Sequence, residues 1–399
     1  MSNYTETTHT GWFGRIKNAF GGLIFGLILT IGAVVLLFWN EGRSVDRYKT
    51  LKEGKEAVVS VAADQIDPAN EGKLVHVSGV TEVKSGPLSD AVFGVSKDGV
   101  KLRRNAEMYQ WKQNESSKTK KKVGGGASET KSYSYSKQWS SKLINSSEFE
   151  QPGRDNPKSM LYPSDTITAK NVNVGTFTMP DFLVKKINKS ELVVIESLEN
   201  ANPKVKETGK LTSEGVYFGT NQDDPQIGDQ KVDFTVVPTG PVSLVAQQQG
   251  RTFVVYKAEH GTIQLLEEEV KTAGEMFVAA NSREKLMAWA IRGGGFALMA
   301  FGIGLLFKPL SVLADVIPIL GNIVGAGAGF LATILAGIIS FLTIAIAWIF
   351  YRPVLGVSLL VIAVVLLVLL FKRIGSKKAA AAQSQAGYAG PTSAPPPLD

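Results

Sequence analysis

An uncharged run, Phe20 to Trp39, stands near the start of the chain, and a block of apolar runs begins near Leu286. About 245 mostly polar residues lie between them. Twenty helical residues, at about 1.5 Å each, cover a hydrocarbon core of roughly 30 Å. The pattern therefore predicts a multi-span membrane protein with one water-facing domain between its first span and the rest. Arg15 and Lys17 precede the first run, as in a secretory signal. The run is long for such a signal, however, and Asn40-Glu41-Gly42-Arg43 follows it instead of a small-residue cleavage site. It reads as a retained span over 20–39, after an N-tail over 1–19.

The second run, 286–307, holds one charge, Arg292, expected to extend to the interface from near a helix end. After Lys308, Pro309 and Asp315 come 36 uncharged residues, Val316 to Tyr351, more than one span needs. Pro318 and glycines at 321, 325, 327 and 329 point to an interfacial or re-entrant segment over 308–329, then a span over 330–350. A last span, 354–371, follows Tyr351-Arg352-Pro353, which suits a tight interfacial turn because proline stiffens the backbone and arginine extends to headgroups. The expected fold class is an α+β membrane protein. It has four transmembrane helices, one N-terminal and three C-terminal, around a large β-rich domain over 40–285. The tail over 372–399, basic and rich in Ala and Pro, lacks the apolar surface to fold.

Basic residues in short segments orient the spans. The N-tail, the 308–320 loop and the C-tail hold two, one and four Lys or Arg, against Arg352 alone in the opposite short loop. That predicts both termini in the cytosol and the large domain outside. Arg43, Arg47, Lys49, Lys52 and Lys55, just after the first span, run against this count, but long domains translocate despite such charge.

Within the domain, apolar and polar residues alternate over short stretches, the signature of half-buried strands. Leu74–Val77, Val100–Leu102, Met108–Trp111, Tyr133–Trp139, Val232–Val237 and Phe253–Tyr256 fit. Ser116 to Ser128, with Lys120-Lys121-Lys122 and Gly124-Gly125-Gly126, has the composition of an exposed hairpin loop. Thr272 to Glu275 has capping-box spacing and opens a helix leading into the second span.

Net charge is +7, yet Asn40 to Lys285 holds 34 basic and 33 acidic residues, so the domain is near neutral. The surplus sits in the tails, where Lys372, Arg373, Lys377 and Lys378 read as an anchor on anionic lipid rather than a nucleic-acid site. Cysteine is absent, which excludes disulfides and thiolate chemistry. The three histidines, His9, His76 and His260, fall in no metal-binding pattern, and His76 reads as structural. No phosphate loop or nucleophile elbow is present, so no cofactor, catalytic site or enzymatic activity is expected. Lys101, Arg103 and Arg104, interleaved with Tyr109 and Trp111, form a candidate face for a protein or lipid headgroup. Gly22 and Gly26, and Gly321, Gly325 and Gly329, recur every four residues, the spacing that lets membrane helices approach closely.

Five stretches together resemble the LUMA (transmembrane protein 43) family. They are Asn40 to Arg43, Asn70 to His76, Val100 to Trp111, Tyr133 to Phe149, and Trp348 to Pro353. The resemblance covers nearly the whole chain in order, with the same layout of one span and then three. It implies a four-span protein of the endoplasmic reticulum and inner nuclear membrane, its large domain lumenal. It also implies self-association through the spans and a role in organising membrane protein complexes. The absent cysteines, the polybasic Gly loop and the Ala/Pro tail depart from the animal pattern and suggest a bacterial relative in an inner membrane with a periplasmic domain. The expected function is a non-enzymatic scaffold whose partners are the bilayer, further copies of itself and other membrane proteins. The alternative is a channel or transporter component formed by the oligomerised spans, kept open by Arg292 and the broken Gly/Pro segment.

Overall fold

The computed structural model describes residues 4–354, 356–358 and 361. Among these, three helices are long and apolar enough to cross a membrane, one N-terminal and two C-terminal. The expected fourth span, 354–371, and the tail after it lie almost wholly outside the described residues.

The first helix, α1 (Trp12–Ala57), runs 46 residues without a break. Its uncharged segment is therefore only the lower half of a longer rod. The five basic residues that follow the first span belong to its continuation. Lys49, Lys52 and Lys55 sit on exposed or half-exposed turns, while Arg43 and Arg47 are held by neighbours from the second helix and the domain.

The second helix, α2 (Ala273–Ala314), begins with the capping box foreseen at Thr272 and Glu275. The third, α3 (Pro318–Tyr351), is one helix of 34 residues. The stretch expected to be interfacial or re-entrant, 308–329, is helical except for the turn at Asp315–Ile317. Proline at the first helical position starts a helix rather than breaking one, because that position needs no N–H donor. Gly321 and Gly325 then let α3 fold back against Asp315 and Ser311. The three helices pack antiparallel in sequence around Ala33, Leu37, Met299, Ile303, Ala332 and Ala336. The outer faces, with Ile24, Ile28, Ile31, Val35, Phe341 and Phe350, are apolar and uncovered, as lipid requires.

Between α1 and α2 lies the β-rich domain. Its main strands are β1 (Tyr4–Thr10), β2 (Leu74–Val83), β3 (Lys101–Lys121), β4 (Ala127–Ser140), β5 (Gln230–Val237) and β6 (Pro241–Gln249). One sheet runs β1-β4-β3-β5 and continues through Gly215–Phe218 and Lys210–Thr212. In the other sheet β6 pairs with β2, with Thr252–Val254 and with Leu265–Glu267. The remaining pairings, through Phe177–Thr178 and Val172–Val174 back to β2, close a five-strand circuit. Inward-facing Val75, Val77, Leu102, Phe234, Leu244 and Phe253 join the sheets in one core. Phe93 meets Tyr162, Phe218 and Phe234 edge to face at its centre.

The stretch foreseen as a hairpin loop is instead the end of a 21-residue strand, β3, paired with β4 to its tip. Only Lys122–Gly126 turn the chain, with Gly124 and Gly125 at φ of 89° and 81°, a conformation that favours glycine. The N-tail is likewise a strand, β1, paired antiparallel with Ala127–Tyr133 of β4.

A second cluster joins domain to rods: Leu51 of α1, Leu74, Val245 and Ile263 of the domain, and Met276 and Phe277 of α2. His76 on β2 lies beside it. Its Nε2 lies 2.8 Å from the Lys271 carbonyl just before the α2 cap, and its Nδ1 lies 3.2 Å from Ser60 Oγ. Burial holds the imidazole below its ordinary pKa, the carbonyl bond opposing only in part. The neutral ring is thus favoured in the folded state, so stability is full above the unfolded value near 6.5 and declines as pH falls below it. Thermal unfolding of the full chain in detergent between pH 7.5 and 5.5 is expected to lose midpoint on acidification, about the histidine titration range. His76→Gln is expected to start lower and show a flatter dependence.

Candidate functional site at the membrane-domain junction

The Asn-Glu-Gly-Arg stretch singled out in the sequence falls where α1 leaves its apolar segment, and its polar side chains turn inward. Asn40 and Glu41 are fully buried. Glu41 accepts two bonds from Arg292 of α2, Nε at 2.6 Å and Nη2 at 2.7 Å. Trp348 Nε1 of α3 donates a third at 2.8 Å. One carboxylate thus joins all three helices. Arg292 also lies over the Trp289 ring, 4.9 Å from its centroid. Arg292, expected to extend to the interface, is paired within the chain, because Glu41 stands at the same level on the neighbouring helix.

One turn further, Arg43 bonds Glu284 of α2 at 2.6 Å and rests near Trp39. Asn40 donates to the Ala288 carbonyl at 3.2 Å. Gly42 faces Tyr351, and a Cβ there would stand 2.6 Å from the ring. Tyr351 in turn packs on Phe38. Arg352 ends α3 in a non-helical conformation over the Trp348 ring, and Pro353 follows in a new helical turn. Asn40, Glu41, Gly42, Arg43, Arg292, Tyr351 and Arg352 therefore converge on one layer, which Pro353 follows in the chain. A cavity of about 420 Å³ opens beside it, lined by Trp39, Arg43, Asp46, Arg47, His260 and Tyr351.

Of the glycines, Gly26 meets the Gly302 carbonyl and Leu305 of α2, and Gly321 and Gly325 line the α2–α3 turn. Gly22 and Gly329 meet nothing within 4 Å. Gly302 and Gly295, the latter against Leu37, complete the α1–α2 crossing.

The candidate face on β3 divides. Arg104 is buried with Leu102, Ala106 and Met108, bonded to Asp90 at 2.7 Å and to the Pro163 carbonyl. Lys101 is buried too, its ammonium donating to the carbonyls of Lys185 and Ile187 and to Asn188. Burial, with Arg103 nearby, lowers its pKa. Both are corrected from surface to interior residues. Arg103, Tyr109 and Trp111 lie half-exposed on the other face of the strand. There Lys137 covers Trp111 at 5.2 Å, Arg154 covers Tyr135 at 4.1 Å, and Tyr109 packs on Trp139. Among the described residues no group of three or more His, Asp or Glu side chains is placed to hold a metal ion.

Removing Glu41 strands a buried guanidinium. Glu41→Ala is expected to cost about 3–5 kcal/mol in detergent unfolding of the full chain, and the apolar double variant E41L/R292M much less. Equal losses in both would mean that the pair acts through shape alone.

The family model for transmembrane protein 43 matches residues 108–353. Mouse transmembrane protein 43 is 32% identical over 392 residues, covering 94% of this chain and 95% of the relative. The human protein is 31% identical over 390 residues, covering 93% and 95%. A fruit-fly homolog is 28% identical over 374 residues, covering 90% and 94%. No solved structure matches the chain. The extent of these matches, together with three membrane-length helices around a β-rich domain, shows that the chain belongs to the transmembrane protein 43 family.

Proposed function

We propose that this protein is a non-enzymatic membrane scaffold that self-associates through its helices and presents its domain to other membrane proteins. The observation that carries this reading is the Glu41–Arg292–Trp348 junction, in which one buried carboxylate ties all three helices together directly beneath the domain. Its charges are spent on one another, which suits a fixed joint better than a reaction centre. Because α1 and α2 continue unbroken into the domain, its orientation is set by the bundle, as a scaffold requires.

The half-exposed stack of cations and rings around Trp111 is the face best suited to a protein partner, since desolvated arginines and aromatics dominate binding energy. Uncovered glycines at 22 and 329 offer close-approach points between copies. In this reading the chain has four membrane-crossing helices, 354–371 being the last, with the start of α1 and the C-terminus on the cytosolic side. The membrane is a bacterial inner membrane or, in a eukaryote, the endoplasmic reticulum and inner nuclear membrane.

Light scattering of the full chain in mild detergent is expected to give a mass of several chains, and the variant G22L/G329L is expected to lower it. A single-chain mass for the unaltered protein would overturn the scaffold reading.

A further inference from the structure

The three-stranded ribbon of β1, β4 and the outer half of β3 joins opposite ends of the apolar bundle. At its base, β3 is fixed in the domain by its pairing with β5 from Lys101 to Met108. At its tip, Lys121 binds Asp315 at 2.7 Å and Asn322 at 2.8 Å. Gly124 N–H donates to the Val316 carbonyl, and the Gly125 carbonyl accepts from Arg15 at 2.6 Å. Arg15 is also paired with Asp315, and Trp12 Nε1 bonds the Val312 carbonyl. That layer closes the far end of the bundle, away from Glu41.

The lengths agree. From Arg15 to Glu41 the helical rise is roughly 39 Å. From Met108 to Lys121 an extended strand covers roughly 44 Å. Since the two bundle ends lie on opposite sides of any bilayer that α1 crosses, the ribbon must cross the same thickness.

Its chemistry forbids lipid around it. Lys112 to Lys121 contains no apolar residue, and Asn114 to Lys120 are exposed. Ion pairing of Lys131 with Glu115 and bonding of Ser117 to Glu129 are cross-strand contacts of a wet sheet. Each charged side chain at the centre of a bilayer costs about 2.5–3.5 kcal/mol, and Glu6, Glu115, Lys118, Lys120, Glu129 and Lys131 are all in the ribbon. Its two outer edges also carry unpaired backbone groups, which occur at membrane depth only inside protein or beside water.

We infer that the ribbon traverses the membrane thickness within a water-filled space enclosed by the helices of neighbouring copies of this chain. The inference deepens the scaffold reading and rests on its self-association: a ring of copies leaves the apolar faces toward lipid and places each polar ribbon in a shared aqueous interior.

The absence of native cysteine makes the test direct. Thr7 and Thr130 are partners across β1 and β4, their hydroxyls 3.3 Å apart. In sealed vesicles, T7C/T130C is expected to join through a short bis-methanethiosulfonate, each thiol displacing a methanesulfinate as its disulfide forms. S117C is expected to react with a water-soluble maleimide at least about tenfold faster than I24C on the lipid face, because a thiolate forms poorly in apolar surroundings. These results in a particle of several chains support the inference. A crosslinked, reactive ribbon in a single-chain particle overturns enclosure by copies. In a multi-chain particle, a T7C/T130C pair that fails to join, with T7C and S117C reacting only from opposite sides, overturns the crossing, while the scaffold reading stands.

Discussion

A buried carboxylate that must keep its cation sets the register of the whole membrane part. Glu41 has no solvent to fall back on, so α1 cannot slide along α2 without separating it from Arg292, nor α3 without losing Trp348. Once that level is fixed, the other close approaches follow from helical rise. Leu37 fits against Gly295, Gly26 against Gly302, and Tyr351 against Gly42. The apolar contacts between these points are individually weak in lipid, where no hydrophobic drive favours one register over another. Polar pairing supplies the specificity and small residues supply the proximity. A matching layer of Arg15, Asp315 and Lys121 closes the other end, so the apolar segment lies between two ionic girdles.

The same register carries into the domain. α1 and α2 continue beyond the Glu41 layer, and Leu51, Met276 and Phe277 enter a common cluster with Val245 and Ile263. The capping box at Thr272 gives α2 a defined start, and His76 ties the preceding carbonyl to β2. Sheet, cap and rod therefore share contacts at one joint, and no Gly- or Pro-rich linker lies between them.

Much of this plan was legible in the sequence because it rests on local pattern. The uncharged run of α1, the long apolar C-terminal segments, the capping box and the alternating strands all announce themselves within a few turns of chain. Long-range pairings did not. Glu41 and Arg292 are 251 residues apart, and nothing in either neighbourhood names the other. The ribbon was hidden because its lysines, serines and glycines carry the composition of a loop, while its strand character comes from backbone pairing along β4. One missed signal was available: alternation along β3 places Arg104 on the same face as Leu102, Ala106 and Met108, which marks it as interior. Lys101 breaks that alternation, because the loop ending at Asn188 covers the start of the strand.

The central claim is that the domain and the membrane helices move as one body, locked at the Glu41 layer. The most direct measurement is the distance distribution between spin labels on V35C, on the lipid face of α1, and L192C, on the domain, in the otherwise cysteine-free full chain. A single narrow distribution in lipid nanodiscs that broadens when Glu41 is replaced by alanine is the expected result. A distribution already broad in the unaltered junction, and indifferent to Glu41, would contradict the account.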